Sequence, residues 1–211
     1  MNKSTRLALA AAVLLVIIAV GAFMWWQRQR LPIVDVSIQS ASLTSFWHRP
    51  TDMRARVLLP DSYWNSPQRR YPAVYEIHAL GTSYLVGRRT TRAWQKAIAR
   101  SGTDFIVVFL DAAMPAGEHH VFADSANNGP WASALVNDVI PELEKQFRIQ
   151  ATPASRFLAG HSSGGWAALW LQVNYPRFFG GEWSSAPDPV DFHDFIGMNL
   201  VRAPLPNAYR N

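Results

Sequence analysis

The chain of 211 residues contains no cysteine. This absence excludes a disulfide scaffold, a zinc site built on thiolates and a cysteine nucleophile. It leaves the compartment open, because a protein without disulfides can exist in either redox environment. Charged residues are also few, at 17%, against 49% hydrophobic residues. This balance is typical of a globular protein with a packed core.

Outside its N-terminus the sequence has almost no excess charge. The formal net charge is +5, but residues 1–30 carry four basic residues and no acid, which leaves 16 basic and 15 acidic residues in the rest of the chain. No basic run interleaved with aromatic residues follows residue 30. We therefore do not expect the protein to bind nucleic acid.

The N-terminus contains a long uncharged run, Leu7–Trp26, with Lys3 and Arg6 before it and Arg28 and Arg30 after it. At about 1.5 Å per helical residue, this run is long enough to cross the hydrocarbon core of a bilayer, which is about 30 Å thick. The sequence therefore predicts a membrane-spanning helix at the start of the chain.

A secretory signal peptide is the alternative, with an apolar stretch of about 7 to 15 residues and a cleavage site between small residues. Here the run is longer and the bulky, basic "FMWWQRQR" follows it, which favours an uncleaved anchor. We expect residues 1–30 to be an anchor or signal segment and residues 31–211 an extracytoplasmic domain, tethered to the membrane or, after cleavage, secreted.

From residue 71 onward, patterns typical of strands and helices alternate. This alternation predicts an α/β fold with a mostly parallel sheet and helices on both faces. Residues 31–49 are expected to be a linker followed by an edge strand. In the helix predicted from "WASALVNDVIPELEKQFRI", Pro141 is expected to cause a kink.

A candidate nucleophile lies in the motif "GHSSG", residues 160–164, between a predicted strand and a predicted helix. A sharp turn there would hold Ser162 in a strained conformation and expose its hydroxyl group. The backbone N–H of Ser163 would stabilise an oxyanion, with a second N–H from Leu80 or Gly81. The alternative is a glycine-rich turn whose serine only caps the helix.

The stretches "GHSSGGW", "SANNGPW" and "IPELEKQFRI" resemble the Putative esterase family of α/β-hydrolases, over about residues 40–200. That family includes esterase D, enterochelin esterase, feruloyl esterase and the antigen 85 mycolyltransferases. The resemblance implies that Ser162 is the nucleophile and that Leu80 and Ser163 frame the oxyanion hole. It also implies hydrolysis of a small carboxylic ester or thioester through an acyl-serine intermediate.

A serine nucleophile needs a base and a carboxylate, which follow it in this fold in the order acid, then histidine. Asp188 is the candidate acid, and His193 is the only histidine after Ser162. His193 lies so close to Asp191 and Asp194 in sequence that we do not expect it to be the base. The family resemblance places the acid and histidine further along, so we expect the last sheet strands to be missing and the domain to be truncated.

Two further interpretations stay open, a non-catalytic relic of the same fold and an acyltransferase of the same family. The pair His119 and His120 with Asp124 suggests a metal site, but no fourth ligand has suitable spacing. We therefore expect neither a metal nor another cofactor. The sequence assigns no oligomeric state.

Overall fold

The computed structural model of the protein describes residues 12–21, 33–114, 118–191 and 193. Residues 12–21 are helical and belong to a compact unit separate from the one that begins at Ile33. Within the described ranges, no helix is both long and apolar enough to cross a membrane. The predicted span over Leu7–Trp26 extends beyond residues 12–21 on both sides and stays a prediction.

The strands of the second unit are β1 (Ile33–Gln39), β2 (Asp52–Leu58), β3 (Ala73–Ile77), β4 (Ile106–Leu110), β5 (Asp124–Ser125), β6 (Gly129–Pro130), β7 (Arg156–His161) and β8 (Gly181–Ser185). Six of them form one sheet in the order β1-β2-β4-β3-β7-β8. Strands β1 and β2 are antiparallel to their neighbours, whereas β4, β3, β7 and β8 run parallel to one another. Strands β5 and β6 form a separate two-stranded sheet.

Helices connect these strands. They are α1 (Ala41–Trp47), α2 (Arg88–Ser101), α3 (Trp131–Ala134), α4 (Ile140–Gln146) and α5 (Ser163–Asn174), with 3₁₀ turns at Asp61–Tyr63 and Pro153–Ser155. The predicted alternation of strands and helices after residue 71 is therefore confirmed. The prediction that the last sheet strands are missing is not tested by the described residues and stays a prediction.

The alternating side chains of β4 contribute to two hydrophobic cores, one on each face of the sheet. Val107 and Phe109 pack with Ile98 of α2. Val108 and Leu110 belong to the larger core, which includes residues of the other four helices. Because successive side chains of a strand point to opposite faces, a strand buried on both faces is apolar throughout. This confirms that helices cover both faces of the sheet.

Helix α1 corrects the expectation that residues 31–49 form only a linker and a strand. The Ser40 hydroxyl accepts a hydrogen bond from the N–H of Leu43 at 3.1 Å and donates one to Asp138 at 2.6 Å. Asp138 also accepts a hydrogen bond from the N–H of Ser42. The helix therefore begins at a serine cap that a residue distant in the sequence holds in place.

The predicted long helix around Pro141 is present, but its geometry changes from α-helical to π-helical just before the proline. The five residues Leu135–Val139 form a π-helical turn between α3 and α4. Proline has no N–H to donate to the preceding turn of an α-helix. The wider turn accommodates this loss at the point where we predicted a kink.

One part of the sheet face on the side of α2 is only partly covered by described residues. A cavity of about 710 Å³ lies over β3, β7 and β8, with Trp94 of α2 in its lining. Trp183 in the cavity lining is 74% exposed and Phe157 is 36% exposed. Glu76 also lines this cavity, and its buried Oε2 has no hydrogen-bond partner among the described residues. Burial raises the pKa of Glu76 to about 7.

The raised pKa of Glu76 predicts a loss of stability as pH increases. In the unfolded chain the carboxyl ionises near its ordinary pKa of 4.5, whereas in the folded protein it stays protonated until about pH 7. The free energy of unfolding should therefore fall between about pH 4.5 and 7, by about 3 kcal/mol in total. Urea unfolding of the Glu76→Gln variant should lack this decrease, and parallel curves for wild type and variant would refute the assignment.

Candidate active site

Ser162 occupies a tight turn between β7 and α5, with φ of 55° and ψ of −124°. Residues other than glycine rarely adopt a positive φ, so this backbone conformation is strained. The N–H of Ser162 donates to the carbonyl of Ser185 at 3.0 Å, and its own carbonyl accepts from the N–H of Trp166 at 2.9 Å. Backbone hydrogen bonds on both sides therefore hold the strained residue in place.

The glycines around Ser162 allow the backbone of α5 to lie directly against the sheet. A Cβ atom on Gly160 would lie 2.1 Å from the carbonyl oxygen of Gly164, and one on Gly164 would lie 2.1 Å from that of Ile77. Both distances are far below van der Waals contact. The predicted strand, turn and helix around the motif are present, and the two glycines are required sterically.

Asp188 contacts both serines of the turn. The Ser162 hydroxyl donates to one carboxylate oxygen at 3.2 Å, and the Ser163 hydroxyl donates to the other at 2.6 Å. Asp188 follows β8, the strand next to β7 in the sheet. The predicted candidate acid therefore lies at the predicted nucleophile, and it contacts the hydroxyl directly, without an intervening imidazole.

Ser163 and Leu80 are close to the same edge of the sheet. Ser163 is the first residue of α5, where the backbone N–H groups have no partner within the helix. Leu80 lies in the turn after β3, which a hydrogen bond from the N–H of Thr82 to the carbonyl of Ala79 closes at 3.1 Å. Gly81 completes this turn with a φ of 74°. Since β3 and β7 are parallel neighbours, both candidate oxyanion donors lie at their carboxyl ends.

Two buried polar residues, His78 and Asp111, support the Leu80 turn. His78 is 5% exposed, and its Nδ1–H donates to the carbonyl of Ala79 at 2.9 Å while its Nε2 accepts from the N–H of Ala112 at 3.0 Å. Asp111 lies beside this ring at the end of β4. Burial opposes its ionisation, but the N–H of Ala113 and the guanidinium of Arg54 lower the pKa of Asp111. A charged, buried carboxylate therefore lies behind the turn.

The residues considered for a metal site have separate partners. His119 donates from Nε2 to the carbonyl of His78 at 2.9 Å. His120 is buried and stacked on Trp131, with ring centroids 3.9 Å apart, and burial lowers the pKa of His120 to about 3. Asp124 accepts from the first N–H groups of helix α3. These residues therefore form buried aromatic contacts and a helix cap.

The two remaining histidines near the turn also have other partners. The Nδ1 atom of His193 lies 3.0 Å from Asp191, and both side chains are exposed. His161 lies 3.4 Å from the Ser185 hydroxyl. Across the described parts of the chain, no histidine is hydrogen-bonded to the Ser162 hydroxyl, and no three His, Cys, Asp or Glu residues form a group that could hold a metal.

Comparison with known protein families places this geometry in context. A family model described as "Putative esterase" matches residues 48–191, which is more than half of the chain. The chain belongs to this family. The match includes Leu80, the Ser162 turn and Asp188, so the elements that surround the turn are those of the family's domain.

Relatives of this esterase-family chain are considerably longer. Esterase Rv1288 of Mycobacterium tuberculosis is 28% identical over 158 residues, which are 72% of this chain and 32% of the relative. An endo-1,4-beta-xylanase/feruloyl esterase of Xylanibacter ruminicola is 24% identical over 69% of this chain and 21% of its own length. The chain therefore spans about a third or less of these curated relatives.

Solved structures of a ferulic acid esterase and of a serine hydrolase share the fold of this chain. A ferulic acid esterase aligns with a TM-score of 0.63 at 19% identity, and the alignment covers 74% of this chain and 57% of the ferulic acid esterase chain. FphF, a fluorophosphonate-binding serine hydrolase of Staphylococcus aureus, aligns with a TM-score of 0.58 at 15% identity, and the alignment covers 79% of this chain and 60% of FphF. At these identities the likeness shows the fold alone, which is that of an α/β-hydrolase.

The strain at Ser162 can be measured by comparing two variants. Glycine tolerates a positive φ and alanine does not, so Ser162→Gly should be more stable than Ser162→Ala by about 1 kcal/mol in urea unfolding. The control is Ala159→Gly in β7, where the same alanine-to-glycine difference should lower stability by about 1 kcal/mol. Equal or reversed stabilities of the two Ser162 variants would show that the turn is not strained.

Proposed function

We propose that this chain is a serine hydrolase of the esterase type that forms an acyl-Ser162 intermediate. One observation carries the proposal: the hydroxyl of a strained serine, at the start of a helix, donates to a carboxylate 3.2 Å away. Family membership supports the reaction class. The N–H groups of Leu80 and Ser163 are the proposed oxyanion donors, and each such donor typically contributes about 3 to 4 kcal/mol to transition-state stabilisation.

The proposed reaction has two steps. Ser162 Oγ attacks the ester carbonyl carbon while Asp188 accepts the hydroxyl proton, and the carbonyl oxygen becomes an oxyanion. Its collapse breaks the bond to the alcohol, which leaves with the proton from Asp188. Water then attacks the acyl-serine carbonyl while the Asp188 carboxylate accepts a proton from the water. Collapse of this second oxyanion breaks the bond between the acyl carbon and Ser162 Oγ, the proton returns from Asp188 to Oγ, and the acid is released.

The proposed substrate is a small carboxylic ester or thioester with an apolar acyl part. Leu80, in the candidate oxyanion turn, is 57% exposed, and Val190, two residues after Asp188, is 53% exposed. These side chains provide apolar contacts close to the proposed nucleophile. One relative is an endo-1,4-beta-xylanase/feruloyl esterase, and we extend to this chain only the ester class.

In the part of the chain that the structure describes, no imidazole contacts the Ser162 hydroxyl, which favours a second candidate function, a hydrolase-fold protein without turnover. A carboxylate is a weaker base than a positioned histidine, and within the described ranges it is the only group hydrogen-bonded to the Ser162 hydroxyl. We therefore expect slow acylation and slower release of the acyl group if the chain is active. Detectable labelling of Ser162 distinguishes the first function from the second.

Fluorophosphonate labelling of the full chain in detergent tests the proposal. Wild type should be labelled and should release p-nitrophenol from p-nitrophenyl acetate, whereas Ser162→Ala should do neither. Ser163→Ala is the matched control, because it removes a neighbouring hydroxyl that also contacts Asp188 but keeps the backbone N–H. Labelling that survives Ser162→Ala would overturn the assignment of the nucleophile, and no labelling of any variant would favour the non-catalytic alternative.

We further propose that residues 1–30 tether the domain to a membrane, on its extracytoplasmic side. The uncharged run Leu7–Trp26 and its basic flanks support this proposal. The full chain should stay in the membrane pellet after extraction at alkaline pH, and a chain beginning at residue 31 should be released. Release of the full chain into the supernatant, at full length, would contradict an uncleaved anchor.

A further inference from the structure

Helix α2 has an unusual distribution of charge. Its 14 residues include five cations and no acid, and all five cations are exposed. They are Arg88, Arg89, Arg92, Lys96 and Arg100. Four of them are spaced by four residues and therefore form a row along the helix surface: Arg88, Arg92, Lys96 and Arg100. The near neutrality of the chain after residue 30 therefore hides a local concentration of positive charge.

Local energetics disfavour this arrangement. Like charges four residues apart destabilise a helix by about 0.2 to 0.5 kcal/mol for each pair, and the row contains three such pairs. Arg88 and Arg89 occupy the first turn, where the helix dipole favours acids. The N-terminal cap is Gly87, which provides no side-chain hydrogen bond. These features weaken the helix unless a negative partner neutralises them.

The described part of the domain provides no such partner. The salt bridges among these residues involve none of the five cations. Helix α2 packs on the sheet through Thr91 and Ile98, which are buried, and through the partly buried Trp94. The cations therefore lie away from the packed side and face solvent. By contrast, Lys145 on α4 lies 3.5 Å from Glu142.

Exposed aliphatic side chains precede this helix in the same segment. Leu80 is 57% exposed and Leu85 is 51% exposed, and both lie in the loop that leads from β3 into α2. Such side chains in a loop followed by a row of cations match the chemistry of a membrane interface. Aliphatic groups there enter the boundary between headgroups and acyl chains, while cations contact lipid phosphates.

We propose that this segment, Leu80–Arg100, is a docking surface for an anionic phospholipid bilayer. The cations of α2 bind lipid phosphates, and Leu85 inserts at the level of the headgroups. Sites for single-stranded nucleic acid combine cations with exposed aromatic rings on which bases stack. Here the exposed apolar side chains of the segment are aliphatic, which favours a bilayer over RNA. The proposal does not depend on esterase activity.

The absence of cysteine from the chain allows a direct test. Ala93 is exposed on α2 between the cations, so Ala93→Cys provides a single attachment point for an environment-sensitive dye. The labelled full chain is mixed with vesicles of phosphatidylcholine alone or with added phosphatidylglycerol. Docking should shift the dye emission to the blue only with the anionic vesicles, and about 0.5 M salt should reverse the shift because it screens surface charges.

A pair of charge-matched variants separates the surface from general electrostatics. Arg89→Gln with Lys96→Gln should weaken docking by about fivefold for each cation removed. The control variant, Lys145→Gln with Arg177→Gln, removes two exposed cations elsewhere and should dock like the parent. Any contribution of the apolar N-terminal run is the same in all three proteins. Removing two like charges from α2 should leave the thermal stability of the protein equal or higher, which a melting curve checks.

The outcomes are distinct. A blue shift with anionic vesicles that the Arg89 and Lys96 substitutions reduce, and that the control substitutions leave unchanged, supports the docking surface. An equal response to neutral vesicles, or an undiminished response in the Arg89 and Lys96 variant, overturns it. The same shift with poly(U) RNA and no vesicles would also overturn it, in favour of a nucleic-acid surface.

Discussion

The close approach of α5 to β3 is the constraint on which the rest of the site depends. The backbone of Gly164 lies so near the carbonyl of Ile77 that a single added carbon would overlap it. This packing fixes the first turn of α5 above two parallel strands. Ser162 has to make the connection from β7 into that helix within one residue, and its positive φ is the result.

Several groups meet because of this arrangement. The start of α5 lies at the carboxyl ends of β3 and β7, which also brings the Leu80 turn to this edge. Strand β8 then delivers Asp188 to the hydroxyls of both serines. His78 and Asp111 support the turn from behind through contacts with the end of β4. The geometry therefore provides a strained hydroxyl, candidate donors for an oxyanion and a carboxylate within one small region.

The sequence predicted what depends on local pattern. Apolar runs and glycine spacing indicate the strands, the helix after Ser162 and the turn itself, because each rests on neighbouring residues. Helix α1 was missed, because its cap Ser40 is held by Asp138, 98 residues away in the chain. The roles of His78 and Asp111 depend on contacts between strands that are distant in sequence. The net charge of the domain likewise gave no sign that its cations are concentrated on α2.

The domain therefore has two distinct features, the strained Ser162 turn with Asp188 and the row of exposed cations on α2. Whether Ser162 forms an acyl intermediate in this chain can be measured directly. The full-length protein is mixed with p-nitrophenyl acetate and acid-quenched, and its mass and peptides are then measured. We expect one acetyl group on the peptide containing Ser162 and none on the corresponding peptide of Ser162→Ala. An unmodified protein, or an acetyl group on another residue alone, would contradict it.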